Sequence, residues 1–176
     1  MSTVDDARSA ARLTVLAGPP GVGKDSVIGL VRVRSPWLWL SVPMTTRPRR
    51  DREIDGVNYD FVDRAEFARL VDDGQLLEWS EIGGNLYGTP REPVRSRLRA
   101  GRPVLLKMDP RGARQVRAAM PEARLVYLAA PGAGDRAAEC DFDVTVVNDL
   151  VERAADELVG WLGSSFLTPA QPPVNG

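Results

Sequence analysis

The sequence predicts an α/β fold, a parallel sheet flanked by helices with a small, mostly antiparallel subdomain inserted into it. Three observations lead there. Apolar strand-like runs alternate with helical patterns along most of the 176 residues, and the first run leads into a glycine-rich turn that opens a helix. The alternation fails once, in a stretch where strands follow one another with a single helix among them.

In order, Leu13–Ala17 reads as a short buried strand running into Gly18–Lys24, Asp25–Arg34 as a helix and Trp37–Val42 as a second strand. Arg91–Ala100 reads as a helix, Val104–Met108 as a strand, Arg111–Ala119 as a helix and Arg124–Ala129 as a strand. Val144–Val147 is a further strand and Asp149–Leu162 the closing helix. The exception is Val57–Val62, Leu76–Ile82 and Asn85–Gly88, three strand-like runs with one helix, Arg64–Asp72, among them. Gly83-Gly84 punctuates a hairpin there. The reading is therefore a core of residues 13–42 and 91–163 with an inserted lobe of residues 43–90, and a cleft between the two. Residues 1–12 read as a loose start and 164–176, with three prolines, as a flexible tail.

Composition excludes several chemistries. The chain has no histidine, which removes His-ligated metals, Ser-His-Asp triads and imidazole acid/base catalysis. One cysteine, Cys140, removes disulfide frameworks and zinc ribbons. A net charge of −1 with a pI near 5.6 argues against general nucleic-acid binding. No run approaches the roughly 18 apolar residues of a membrane span. The N-terminus carries Asp5 and Asp6 and lacks a signal-peptide apolar region, so a cytoplasmic location is the default expectation. At 43% hydrophobic and 27% charged, the chain has the make-up of one globular domain.

Of 23 basic residues only Lys24 and Lys107 are lysines. Lys24 falls in Gly18-Pro-Pro-Gly21-Val22-Gly23-Lys24-Asp25-Ser26, between a strand and a helix, as a phosphate-binding P-loop requires. Glycines let backbone N–H groups approach phosphate oxygens, the helix N-terminus adds a positive dipole, and Lys24 supplies a point charge. The hydroxyl that usually follows the lysine to ligate magnesium stands one place later, at Ser26, and Asp25 intervenes. The spacing resembles the nucleoside-monophosphate kinase variant of the loop. Asp25 is left either to join a magnesium shell with Ser26 or to repel the triphosphate.

In the inserted lobe, Arg47 and Arg50 stand three apart beside two more arginines, a set suited to a phosphate dianion. Tyr59 and Tyr87 add neutral O–H donors, and Glu53 is placed to hold one arginine. The segments Thr45–Phe61, Leu77-Glu78-Trp79, Gly84–Thr89, Gly101–Gly112 and Val146–Asp149 follow the P-loop in an order that resembles guanylate kinase, over about residues 13–162. The resemblance implies a P-loop NTPase-type core and transfer of the γ-phosphoryl group of ATP to GMP with Mg²⁺. It implies that Arg47, Arg50, Glu53, Tyr59 and Tyr87 serve the GMP phosphate, that Glu78, Thr89 and Asp109 read guanine, and that Asn148 lies beside the adenine of ATP. Glu78 and Asp109 also have plainer readings, as a surface strand residue and a helix N-cap. Histidine is not needed, because the acceptor oxygen is already anionic and phosphoryl transfer needs positioning and charge neutralisation; Lys24, Arg47 and Arg50 are the catalytic candidates.

The chain departs from that family pattern in three places. The family carries an arginine-rich helical lid before the Val146–Asp149 segment, whereas only the eleven residues Gly132–Phe142, with Arg136 as their one cation, separate Pro131 from Asp143. The lid is thus expected to be deleted and activity reduced, unless Arg136, Arg111, Arg114 or a neighbouring subunit supplies an arginine. Pro43 stands where the family usually has serine, and Lys107 where the strand usually has an acid. Lys107 either points into the cleft, to replace metal charge or pair with Asp25, or snorkels outward. Two other functions fit the departures: a pseudoenzyme that binds nucleotide or a phosphopeptide partner, or a kinase for another phosphorylated small molecule. A protein partner or a homodimer is compatible with each.

Overall fold

The computed structural model describes residues 13–133 and 141–164. The elements run β1 (Leu13–Ala17), α1 (Lys24–Arg34), β2 (Trp39–Leu40), β3 (Met44–Thr45), β4 (Asp60–Phe61), α2 (Arg64–Asp72), β5 (Leu76–Ile82), β6 (Asn85–Pro90), α3 (Arg91–Arg99), β7 (Val104–Met108), α4 (Pro110–Ala119), β8 (Arg124–Ala129), β9 (Val144–Val147) and α5 (Val151–Ser164).

A five-stranded parallel sheet has the order β2-β7-β1-β8-β9. The parity of its strands decides everything about its faces. Leu13, Val15 and Ala17 of β1, with Val104, Leu106 and Met108 of β7, face a cluster that includes Val94 and Leu98 of α3 and Ala113 and Val116 of α4. Leu16 and Leu105 face the other way, onto Val27, Ile28 and Val31 of α1 and Ala154 and Leu158 of α5. Helices thus cover both faces, and β1 is buried at every residue. Each buried leucine of these clusters contributes about 1.5–3 kcal/mol. From β1 the chain steps to β2, returns to β7 in between, then crosses to β8 and β9 on the far side. Strand order reverses beside β1, and in such sheets the crevice for ligands lies at the carboxyl ends of the strands there.

The inserted lobe is a four-stranded sheet of order β4-β3-β6-β5. Its β3–β6 and β5–β6 pairs are antiparallel and its β3–β4 pair is parallel. Gly83 and Gly84, at φ 58° and 78°, make the two-residue turn between β5 and β6 that only residues tolerant of positive φ can make. Helix α2 begins at Asp63, whose carboxylate accepts from the Glu66 N–H at 2.7 Å, and buries Phe67 edge-on to Trp79.

Two expected strands are shorter than the sequence suggests. Trp37–Val42 reduces to Trp39–Leu40, because Ser35 ends α1 and its carbonyl accepts from the Leu38 N–H at 3.0 Å, spending those residues on a turn. Val57–Val62 reduces to Asp60–Phe61. Gly56 lies at φ 76°, its N–H donates to the Tyr59 carbonyl, and the Asn58 side chain accepts from the Ile54 N–H at 2.8 Å. Turn chemistry outweighs the apolar alternation there, and Val57 is left exposed. The pair Met44–Thr45 was too short to register as a strand in the sequence. Among the described residues no helix is long and apolar enough to cross a membrane. The expected loose ends (1–12 and most of 164–176) and most of the short link, residues 134–140 with Arg136 and Cys140, lie outside the described residues.

Candidate active site

The carboxyl ends of β1 and β7 and the near faces of β5 and β6 enclose a cleft of about 280 Å³. Gly18, Gly21, Lys24 and Asp25 line it from the core; Tyr59, Glu78 and Tyr87 line it from the inserted lobe; Lys107 and Asp109 close it at the end of β7.

The core side is built from backbone. Gly23 sits at φ 95° as the residue before α1, and a Cβ there would come within 2.5 Å of Asn148 Nδ2. Only glycine meets both demands. The Asn148 amide donates to the Val22 carbonyl at 2.8 Å, so β9's exit loop holds the phosphate loop from behind. Lys24 folds over the loop, its ammonium donating to the carbonyls of Gly18 at 2.7 Å and Pro19 at 3.0 Å. Burial and then the charge of Lys107 push its pKa below the ordinary lysine value. Ser26, on the first turn of α1, is exposed.

The lobe side is built from side chains. Glu78 is 5% exposed and Thr89 2% exposed, and the Thr89 hydroxyl donates to Glu78 Oε1 at 2.6 Å. The surface reading of Glu78 is therefore excluded. Burial, reinforced by the charge of Asp109, pushes the Glu78 carboxyl up to about 7, against the Thr89 hydrogen bond, which lowers it. Asp109 caps α4, accepting from the Gly112 N–H at 2.9 Å, and it also lines the cleft. Gly112 makes the juxtaposition possible, since a Cβ there would lie 2.5 Å from Glu78 Oε2 and 3.2 Å from Asp109 Oδ1.

Arg47 is gripped by Glu53 through two parallel hydrogen bonds of 2.7 and 3.0 Å, and its guanidinium lies 5.4 Å over the Tyr59 ring. That pairing holds the Glu53 carboxyl down at about 2, helped by the Arg50 backbone N–H, which donates to it at 2.9 Å. Glu53 thus positions the arginine rather than facing the cleft. The Arg50 side chain is exposed. Tyr59 and Tyr87 meet edge-on at 6.1 Å. Lys107 points into the cleft: it donates to Asp25 Oδ1 at 2.6 Å, and its ammonium lies 5.5 Å from the Tyr59 ring centre.

The cleft brings together Gly18, Gly21, Lys24, Asp25, Tyr59, Glu78, Tyr87 and Asp109 of the anticipated residues. Arg47, against the Tyr59 ring, its partner Glu53 and the exposed Arg50 do not line the cleft; Thr89 lies behind Glu78, and Asn148 behind the glycine-rich loop. The sequence did not single out Gln115. Its side-chain amide accepts from the Trp79 N–H at 3.1 Å and donates to the Trp79 carbonyl at 2.6 Å, tying α4 to β5. No local pattern marks such a residue, because its partner lies across the lobe boundary.

Residues 10–136 match the guanylate kinase family model. A guanylate kinase of Thermobifida fusca is 51% identical, the match covering 87% of this chain and 91% of that protein. One of Streptomyces coelicolor is 48% identical over 84% of this chain and 88% of its own. The alignment with the first spans 179 positions, more than the 176 residues of this chain, so that relative carries residues with no counterpart here. The crystal structure of guanylate kinase from Anaplasma phagocytophilum superposes with a TM-score of 0.76 at 28% identity, covering 89% of this chain and 86% of that one. A glycine-rich loop facing the buried Glu78 carboxylate across a cleft, on a matching sequence and a matching fold, has one reading: the chain belongs to the guanylate kinase family.

Proposed function

We propose that the protein transfers the γ-phosphoryl group of ATP to GMP, giving ADP and GDP. The observation that carries this is the buried Glu78–Thr89 pair beside Asp109, facing the phosphate loop across one cleft. Glu78 and Asp109 accept N–H groups of guanine, and Thr89 holds the Glu78 carboxylate in place from behind. Adenine presents an unprotonated ring nitrogen where guanine has a donor, which would leave a buried carboxylate unpaired. Sites of that kind discriminate by about 10⁴–10⁵. Arg47, held flat by Glu53, binds the GMP phosphate together with Arg50, Tyr59 and Tyr87. The amides of Gly18–Gly23 and the Lys24 ammonium hold the ATP phosphates. Asn148 serves ATP from behind, by fixing the loop.

The residues present fit a magnesium ion that arrives with ATP, since such an ion keeps phosphate oxygens and waters and asks the protein for only one or two ligands. The exposed Ser26 would give it a hydroxyl, and Asp25 a carboxylate once released from Lys107. The ion supplies positive charge to the phosphate oxygens when bound. The eleven-residue Gly132–Phe142 link is too short for a two-helix lid, and an open site runs slowly and admits water to ATP. A cytoplasmic setting, where ATP and GMP are found, goes with this activity.

The test is product formation from ATP and Mg²⁺ with GMP, dGMP, AMP, CMP or UMP as acceptor. GDP should form from GMP and nothing from AMP, CMP or UMP, and Lys24→Ala should abolish it. Turnover that survives that substitution, or an equal rate with AMP, overturns the reading. GMP bound tightly with no product from any acceptor makes the protein a pseudoenzyme.

A further inference from the structure

Among the described residues that line the cleft only Lys24 and Lys107 are cations, and they are differently placed. Lys24 is folded onto the carbonyls of its own loop, on the donor side. Lys107 stands on the core strand β7 but reaches toward both halves. Strand parity sends it to the same face as Leu105, toward α1, and its position at the end of β7 lets it emerge at the mouth of the sheet. From there the ammonium reaches the first turn of α1, 2.6 Å from Asp25, while resting 5.5 Å from the ring centre of Tyr59 on the acceptor lobe. A phosphoryl group passing from a nucleotide on the phosphate loop to one beside Tyr59 crosses this position.

The Lys107–Asp25 pair is a poor stabilising device. The lysine side chain is 19% exposed and the aspartate 85% exposed, so the lysine gives up water for a carboxylate that stays in it. Pairs with such an exposed partner contribute little. A largely desolvated ammonium with one weakly held partner, facing a cleft, suits a group that awaits a stronger anion.

We infer that Lys107 is a catalytic residue that leaves Asp25 when both nucleotides are bound and contacts the phosphoryl group in transit. This rests on the kinase reading above. An oxygen of the GMP phosphate forms a bond to the γ-phosphorus of ATP as the bond from that phosphorus to the β,γ-bridging oxygen breaks, and the electron pair leaves with ADP. Lys107 stays protonated throughout; it neutralises charge on the transferring group and moves no proton. Its release also frees the Asp25 carboxylate. The chain thereby keeps a cation at the centre of the reaction without an arginine from a lid.

The experiment compares wild type, Lys107→Met and Lys107→Arg by steady-state kinetics and by binding of ADP, aluminium fluoride and GMP, a mimic of the transferring group. Lys107→Met should lower kcat about 10²–10³-fold, the usual cost of losing one preorganised donor. Its KM values, and its binding of ADP alone and GMP alone, should stay within about threefold of wild type, because the contact exists only in transit. Wild type should form the fluoride complex and Lys107→Met should not, while Lys107→Arg should recover both properties in large part. A Lys107→Met protein with wild-type kcat, or one that forms the fluoride complex as wild type does, overturns the inference. So does a parallel loss of binary GMP and ADP binding, which marks a merely structural role. If wild type itself makes no GDP, the kinase reading fails and takes this inference with it; GDP from wild type keeps the two failures apart.

Discussion

The two sides of the cleft solve their binding problems with different materials. The core side presents backbone: an all-buried strand, a glycine turn held by Asn148 and a helix N-terminus. The lobe presents side chains, with Arg47, Tyr59, Glu78, Tyr87 and Thr89 mounted on short strands and loops. Backbone amides recognise any phosphate, whereas carboxylates and hydroxyls recognise a particular base edge. On the proposed reading, generality and selectivity are thus kept largely on separate pieces of chain, with Asp109 of the core as the exception, and each is damaged by a different kind of substitution.

The largest effect is expected where the backbone half has no slack. Gly23→Ala puts a methyl group 2.5 Å from Asn148 Nδ2 in a residue at φ 95°. Strain of about 1–3 kcal/mol and a displaced loop should follow. ATP binding, followed by titration of a fluorescent analogue, should weaken more than a hundredfold, about 2.7 kcal/mol or more, with GMP binding nearly intact. Loss of GMP binding to the same degree would mean that the two halves are not separable.

Next comes the lobe. Glu78→Gln replaces a charged acceptor, worth about 1.5–3 kcal/mol, and should raise the KM for GMP roughly 10- to 100-fold while leaving that for ATP unchanged. Glu78 also sets a pH dependence. Its carboxyl is pushed up to about 7 by burial, and the ionised form accepts guanine N–H groups more strongly than the protonated one. GMP affinity should rise from pH 5.5 to about 7 and then level off, and Glu78→Gln should flatten the profile. The same shift works against folding. With its folded pKa above the unfolded value, Glu78 contributes stability below the ordinary carboxylate range that is lost as pH rises through about 7. Glu78→Gln should therefore raise the Tm at pH 8 and change it little at pH 4. Glu53 has the opposite sign: its folded pKa of about 2 makes its contribution present above the ordinary carboxylate range and lost as pH falls toward 2.

A smaller effect should follow at Glu53 itself. Glu53→Gln weakens the bidentate hold on Arg47, and the KM for GMP should rise about fivefold, since the neutral amide oxygen still accepts one hydrogen bond from the guanidinium. Smallest of all, Gln115→Ala removes two neutral hydrogen bonds between the halves. It should cost about 1 kcal/mol of local stability, read as faster amide exchange at Trp79 with kcat almost unchanged.

How much of this was legible in the sequence follows the same division. The glycine turn, Lys24 and the charged residues of the lobe are conspicuous by identity and spacing, and the long strands of the core by continuous apolar runs. Glu78 was ambiguous because a strand residue's burial depends on what packs beyond its neighbours, here Gly112 and Asp109. Lys107 was ambiguous for a different reason. Strand parity puts it opposite Leu106 and Met108, but the sequence does not tell which face of the sheet α1 covers, and only that turns parity into a direction. The two-residue strands β3 and β4 carry too few positions for any period to show.

The Gln115 amide has a consequence beyond the cleft. Strand β5 is the edge of its sheet, and it carries the partly exposed Trp79 and, on the opposite face, Ile82. An edge with free amides and an apolar flank is a template on which a second molecule can add a strand, the first step toward aggregation. At Trp79 both backbone groups are already taken by a side chain that mimics the neighbouring strand and then ends, because Gln115 has no chain of its own running alongside. The same two hydrogen bonds that join the lobe to the core also take one position of that edge away from a second copy.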